Sequence, residues 1–289
     1  MPTTDQPIGV TVLLLTKNEE VGLGACLESL TDFGEVIVVD SNSTDRTVEI
    51  ARAHGATVVN FTWNGRYPKK KQWQLENIDT LNRWVLMMDA DESCTPELLA
   101  AIRAAEPEMA RHEFAAYDLR LDYVFAGRSL KHGHRVVKRA LVDRERVKFP
   151  EVNDLDAPDI GEVEGHYQPI ASGPIRTLDG RLRHDDKDPV ATWFARHNRY
   201  SGWEAHLMYN AEFGQHAAAF KSRQGRLFGR VPFKPLAFFL YSYVARAGFL
   251  DGRAGYDYAI AQSMYYWQIG LKYRELRDAA AAPSPAGKS

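Results

Sequence analysis

Two carboxylates stand one residue apart in Asp89-Ala90-Asp91-Glu92, directly behind an apolar run at 85–88. They have no helix to cap, because the capping position of the next helix belongs to Thr95, with Pro96 behind it. Hard oxygen ligands at this spacing suit a divalent cation, Mg²⁺ or Mn²⁺, shared with phosphate oxygens. Such a cation neutralises charge building on a leaving diphosphate. Two further polar clusters, Thr16-Lys17-Asn18-Glu19 and Asp40-Ser41-Asn42-Ser43-Thr44-Asp45, also follow apolar runs. Neither GxGxxG nor GxxxxGKS/T occurs in the chain. A nucleotide here would be read with carboxylates and a metal, not by a glycine-rich phosphate loop.

The elements that must position these clusters follow from apolar periodicity. Residues 10–15, 36–39, 57–61 and 84–88 read as buried strands ended by polar residues. Leu23, Leu27 and Leu30 recur at helical spacing, a second helix opens at Ser43–Thr44 and closes before Gly55, a third covers 69–81, and a fourth starts at Thr95-Pro96-Glu97. This alternation predicts a mostly parallel sheet with helices on both faces, and ligands beyond the carboxyl ends of its strands. All three polar clusters then fall on one rim. Beyond Phe114 the pattern changes to antiparallel strands at 116–125, 135–138 and 147–149, a loop at 166–174 and a helix at 188–210.

The chain has 289 residues, 45% of them apolar and 26% charged, which excludes a disordered, collagenous or coiled-coil protein. A net charge of −2 argues against a dedicated nucleic-acid binder. Cys26 and Cys94 are too few for a disulfide framework and fit a reducing cytosol. The opening residues 1–7 are polar, so no signal peptide is expected. The longest apolar helical run, 235–245, has eleven residues, against about 20 for a spanning helix.

Four segments resemble glycosyltransferase family 2: residues 12–20 (VLLLTKNEE), 40–47 (DSNSTDRT), 69–75 (KKKQWQL) and 84–92 (WVLMMDADE). The match is strong over about the first 100 residues. It continues more loosely to Ala205 through residues 127–132, 151–154, 182–186 and 196–205. It resembles, in particular, bacterial enzymes of lipopolysaccharide-core or exopolysaccharide synthesis. The resemblance implies an α/β GT-A fold and inverting transfer of a hexose from a nucleotide-diphosphate sugar, most often a UDP-sugar. The acceptor it implies is lipid-linked or an oligosaccharide.

Site roles follow from the same resemblance. Thr16, Asn18, Glu19 and Ser43 are expected to line the nucleoside pocket, with Asp40 accepting a hydrogen bond from the base or ribose. Asp89 is expected near the ribose and metal waters, and Asp91 as direct metal ligand. Of Lys69, Lys70 and Lys71, Lys70 is assigned to the diphosphate; three successive helical lysines cannot all point inward, so at least one should be a solvated charge. The general base of an inverting transfer is expected at Asp154, in Val152-Asn153-Asp154, with Glu151, Asp156 and Asp159 as neighbours in an acidic loop. His184 is a second metal-ligand candidate, imidazole suiting Mn²⁺ better than Mg²⁺, with Asp185 as its substitute. Lys131, His132, Arg196 and Arg199 are candidates for an acceptor phosphate or the donor diphosphate.

Between positions 213 and 250 there are six basic residues and no acid. With its aromatic and leucine-rich helical stripe, this segment is expected to lie on the anionic cytoplasmic face of the inner membrane. The alternative is a helix pair packed on the catalytic domain or on a second copy in a homodimer. The expected organisation is a GT-A domain over 1–212 (nucleotide-sugar half 1–100, acceptor half 101–212), a basic amphipathic helical appendage over 213–278 and a disordered tail at 279–289. Two rival functions remain: a sugar nucleotidyltransferase, which should carry a glycine-rich run near the first strand, and a catalytically silent nucleotide-sugar-binding subunit.

Overall fold

The computed structural model describes residues 6–133, 135–151, 154–157, 161–162, 164, 167–210 and 231–281. The first third alternates as its periodicity predicts: β1 (Ile8–Thr16), α1 (Leu23–Glu28), β2 (Phe33–Asp40), α2 (Thr47–Ala53), β3 (Thr57–Asn60), α3 (Lys70–Asn77) and β4 (Trp84–Asp89). There follow β5 (Glu92–Cys94), α4 (Pro96–Ala110), β6 (Ala116–Phe125), β7 (Arg128–Leu130), β8 (Val137–Asp143), β9 (Val147–Lys148), β10 (Ile170–Ala171) and β11 (Ile175–His184). The helical remainder holds α5 (Val190–Tyr209), α6 (Lys234–Phe239), a π-helical turn (Leu240–Ala245), a 3₁₀ turn (Gly248–Asp251) and α7 (Gly252–Ala281).

One nine-stranded sheet runs β3-β2-β1-β4-β8-β6-β11-β5, with β7 beside β6. Its first four strands are parallel, as expected. From β4 onward it is mixed: β8 enters antiparallel to both β4 and β6, while β11 is parallel to β6 and antiparallel to β5. Successive residues of β1 point to opposite faces. Val10, Val12 and Leu14 join one core cluster with Leu23, Leu98 and Ile102, whereas Leu13 and Leu15 join another with Phe61 and Leu75. Both faces are therefore covered, which a parallel sheet requires. Each such buried leucine or valine contributes about 1.5–3 kcal/mol.

Several boundaries differ from expectation. The second helix begins at Thr47, not at Ser43–Thr44, because those hydroxyls are engaged sideways by the neighbouring loop. The third helix ends at Asn77, four residues short of Leu81. Part of the expected loop at 166–174 is the short strand β10, paired with β9, and His166 lies outside the described residues. The fourth helix starts as predicted: Thr95 Oγ1 accepts from Leu98 N and itself donates to the Arg181 carbonyl of β11 at 2.9 Å. Gly180, at φ +84°, lets β11 pass α4, where a Cβ would stand 2.6 Å from the Leu98 backbone.

The chain divides into two compact units. The first spans 1–131, 135–150 and 162–187 and contains the sheet. The second spans 132–134, 151–161 and 188–289, and its described elements are helices. The division falls at 187/188, not at the expected 212/213, because α5 packs along α7 instead of joining the sheet unit. The helix α7 runs to Ala281, into the stretch expected to be a disordered tail.

Candidate active site

Strand register brings the polar clusters to one rim. Thr16 pairs with Asp40 across β1 and β2, and Leu15 pairs with Asp89 across β1 and β4. Asp40 is buried and accepts from Thr16 Oγ1 at 2.8 Å, Ser43 N at 2.8 Å and Ser43 Oγ at 2.5 Å. Asn18 N donates to Ser43 Oγ, and Asn18 Oδ1 accepts from Thr44 N, both at 2.8 Å. Glu19 N donates to Thr47 Oγ1 at 2.7 Å. Asn18 and Asn42 both hold φ near +57°, a conformation asparagine tolerates better than most residues. Thr16, Asn18, Asp40 and Ser43 thus form one network that fixes the two loops, and most of Asp40's acceptor capacity is used within it.

The three lysines depart from expectation. Lys69 is extended and precedes the helix, so only Lys70 and Lys71 obey helical geometry. Lys69 and Lys70 are both buried and Lys71 is half-buried; none is a fully solvated charge. Lys70 Nζ donates to the Thr16 carbonyl at 3.0 Å and Ser41 Oγ at 2.5 Å, with Glu162 at 3.9 Å. Burial lowers its pKa to about 8 against the opposing pull of Glu162, Asp40 and Asp89. Buried Glu164 accepts from the backbone N–H groups of Lys71 and Gln72 at 2.8 Å each, anchoring the start of α3.

The Asp89–Glu92 turn holds the main surprise. Lys138 of β8 places Nζ 2.7 Å from Asp89 Oδ2 and 2.6 Å from Glu92 Oε2. Glu92 Oε2 also accepts from Asp89 N at 2.9 Å. Asp89 is half-buried, which opposes its ionisation, but the cations Lys138 and Lys71 hold its carboxyl well below the usual range. Burial, with repulsion from Asp89, pushes Glu92 up despite Lys138. Lys138 itself is held above its ordinary value, because the two carboxylates outweigh its burial. Sequence reading marked 135–138 as a strand but gave no reason to single out Lys138, whose partners lie more than forty residues earlier.

Asp91 faces His184 at the end of β11, Nδ1 standing 3.3 Å from Oδ1. Neither of these buried atoms makes a hydrogen bond. Burial works against the charged imidazole, yet Asp91, Glu92 and Asp89 raise the His184 pKa. The ring stacks on Tyr123 with centroids 4.8 Å apart. The Asp185 carboxylate pairs with Arg183 at 3.0 Å and Lys187 at 2.8 Å, while its N–H donates to the Asp91 carbonyl. Among the described residues, no group of three or more His, Cys, Asp or Glu side chains is arranged to hold a metal ion.

In the helical unit, Asp154 is buried and its Oδ2 accepts from the indole Nε1 of buried Trp203 at 2.9 Å. Asp156 is exposed, 3.3 Å from His206 Nε2; Val152, Asn153 and Asp159 lie outside the described residues. His132 is committed to Asp251, its N–H at 2.8 Å and Nδ1 at 3.0 Å from the two carboxylate oxygens. Arg196 is half-buried and Arg199 exposed on α5, and Lys131 is exposed in the sheet unit.

The model of the family described as glycosyl transferase family 2 matches residues 11–177. The chain belongs to this family. An uncharacterized glycosyltransferase of Rickettsia typhi is 34% identical over 272 residues, covering 92% of this chain and 87% of that protein. The lipopolysaccharide core biosynthesis glycosyltransferase LpsC of Rhizobium meliloti is 24% identical, covering 95% of each chain. Solved structures of glucosyl-3-phosphoglycerate synthase from Mycobacterium tuberculosis are similar at a low level. One, with Mn²⁺, UDP and glucosyl-3-phosphoglycerate, has a TM-score of 0.38 at 16% identity and covers 68% of this chain and 78% of its own. For another, with phosphoglyceric acid, the TM-score is 0.30 at 22% identity, and the match spans less than half of that structure's length, 45%. That similarity is too low to transfer any feature of a site. Family membership makes the chain a glycosyltransferase that uses a nucleotide sugar, on the α/β GT-A fold.

Proposed function

We propose that this chain is an inverting hexosyltransferase using a UDP-sugar donor, a lipid-linked or lipopolysaccharide/exopolysaccharide acceptor, and Mg²⁺ or Mn²⁺. The observation that carries the metal is the facing pair Asp91 Oδ1 and His184 Nδ1, both buried, both without a hydrogen bond and 3.3 Å apart. Two adjacent ligands of one cation, each at about 2.1 Å and a right angle, stand roughly 3 Å apart. A carboxylate oxygen and an imidazole nitrogen fit that donor set, so Asp91 and His184 are the residues that would hold the cation. A cation there would stabilise negative charge on the departing diphosphate. The name of the Rhizobium relative supports the acceptor class.

In this reading Thr16, Asn18, Glu19, Asp40 and Ser43 shape the nucleoside pocket through the loops they lace together. Asp89, held by Lys138, faces the ribose. Lys70 supplies positive charge beneath the diphosphate. Asp154 takes the acceptor proton, and Lys131, Arg196 and Arg199 meet acceptor phosphate.

Thermal unfolding with UDP tests the donor site. UDP plus Mn²⁺ at about 100 times the dissociation constant should add ~2.7 kcal/mol, and Asp91→Asn should abolish the Mn²⁺-dependent part. An Asp91→Asn protein that binds Mn²⁺ and UDP like the parent would place the metal elsewhere.

Lys70 gives a pH signature. Its charge is lost as pH rises past about 8, so UDP affinity should fall above that pH, and Lys70→Met should flatten the profile. The sign for stability is opposite. In the folded chain Lys70 deprotonates first, so between about 8 and 10.4 the unfolded chain binds the extra proton and stability rises with pH. Weaker UDP binding in that window is therefore not unfolding driven by Lys70. A parent profile that is flat from pH 7 to 9.5 would remove Lys70 from the diphosphate.

A further inference from the structure

The helical unit carries an apolar surface that the transfer chemistry does not use. Phe233, 83% exposed, begins it, and Leu236, Leu240 and Val244 continue one face at spacings of three and four residues. Phe249 and Leu250 are exposed just beyond. On α7, Tyr256, Met264, Trp267 and Leu271 are also exposed, and at 100° per residue they fall within an arc of about 80°. The Tyr256 ring lies 5.7 Å from Tyr243 and 6.1 Å from Phe239, packing the start of α7 against the end of α6 and the π-helical turn. Isolated exposed apolar residues are ordinary, but a row of four along one helix face is not.

Charge chooses the occupant. Positions 213–250 hold six basic residues and no acid, and of the six Lys234 and Arg246 belong to the described face. The next acid, Asp251, has a side chain only 6% exposed and is bound to His132, while Arg253 and Asp257 offset one another at 3.5 Å. A second copy of the chain would set two such acid-free segments against each other. An anionic lipid surface complements them. No helix among the described residues is long and apolar enough to cross a membrane.

We propose that the face formed by α6, the π-helical turn and α7 is a seat for an anionic phospholipid bilayer, lying in the interface plane with Phe233, Leu236, Leu240 and Leu250 at the acyl boundary. This goes beyond the donor chemistry and does not depend on it.

Co-sedimentation of the full chain with phosphatidylcholine vesicles, with and without about one-third phosphatidylglycerol, tests the seat. Binding should require the anionic lipid and weaken as salt shortens the Debye length from about 30 Å at 0.01 M to about 8 Å at 0.15 M. Each basic residue near the surface is worth about fivefold in partitioning, so Lys234→Gln with Arg246→Gln should lower it about 25-fold. Leu236→Ser and Leu240→Ser should each lower it about tenfold or more, with the parent's melting temperature and circular dichroism spectrum retained as proof of folding. Equal sedimentation with neutral and anionic vesicles, or none with either, overturns the proposal. So does a dimer in the absence of lipid that the two serine substitutions convert to monomer, since the face would then be a self-interface. Loss of UDP binding with intact vesicle binding would instead count against the donor reading alone.

Discussion

Asp154→Asn should lower turnover by about 10²–10⁴-fold while leaving UDP-sugar affinity within about twofold. General-base catalysis is typically worth that much, ~3–5 kcal/mol of barrier. The substitution suits the local structure. Asp154 is buried, and its Oδ2 accepts the indole N–H of Trp203 at 2.9 Å. An asparagine carbonyl oxygen can keep that bond, so the change removes charge and basicity without emptying the position. Donor binding and turnover measured on one preparation separate chemistry from folding. Activity within threefold of the parent would make Asp154 a structural acceptor for Trp203. Glu151 and exposed Asp156 would then be the next candidates for the base.

Lys138→Met should destabilise the protein by about 3–5 kcal/mol at pH 7, the usual consequence of stripping one partner from a buried ion pair. Glu92 is only 2% exposed, and Lys138 Nζ lies 2.6 Å from it and 2.7 Å from Asp89. The pH dependence has a definite sign. Asp89 is held low, so its contribution is present above the ordinary aspartate pKa of about 3.9 and fades as pH falls through its lower folded value. Lys138 is held high, so its contribution is present below about 10.4 and fades only as pH rises through its higher folded value. At pH 7 both are intact. In the variant, Glu92, already pushed up by burial, regains a proton on acidification, so the deficit should shrink between pH 7 and 5. Urea unfolding at both values checks this. A cost under about 1 kcal/mol, or one equal at both pH values, would mean that water satisfies Glu92.

The four parallel strands and the clusters at their ends were legible in the sequence because both are local. An apolar run ended by Asp89-Ala90-Asp91 declares a strand and a rim without reference to anything distant. Thr95 with Pro96 likewise declared the start of α4, since a cap is written within four residues. The acid-free stretch and its helical stripe of Leu236 and Leu240 were readable for the same reason. Pairings across the chain were not. Lys138 reaches Asp89 only because β8 inserts antiparallel beside β4, and Trp203 reaches Asp154 only because α5 carries it there. His184, not Asp185, faces Asp91 because Arg183 and Lys187 claim the neighbouring carboxylate. Ser43 and Thr44 look like helix caps in sequence, yet Asp40 and Asn18 engage their hydroxyls. Residue type and spacing determined which groups could bind a nucleotide sugar and where the strands would present them. Tertiary packing decided which of those groups stay open to a ligand, because a buried charge or hydroxyl must find a partner, and the nearest one in space was seldom near in sequence.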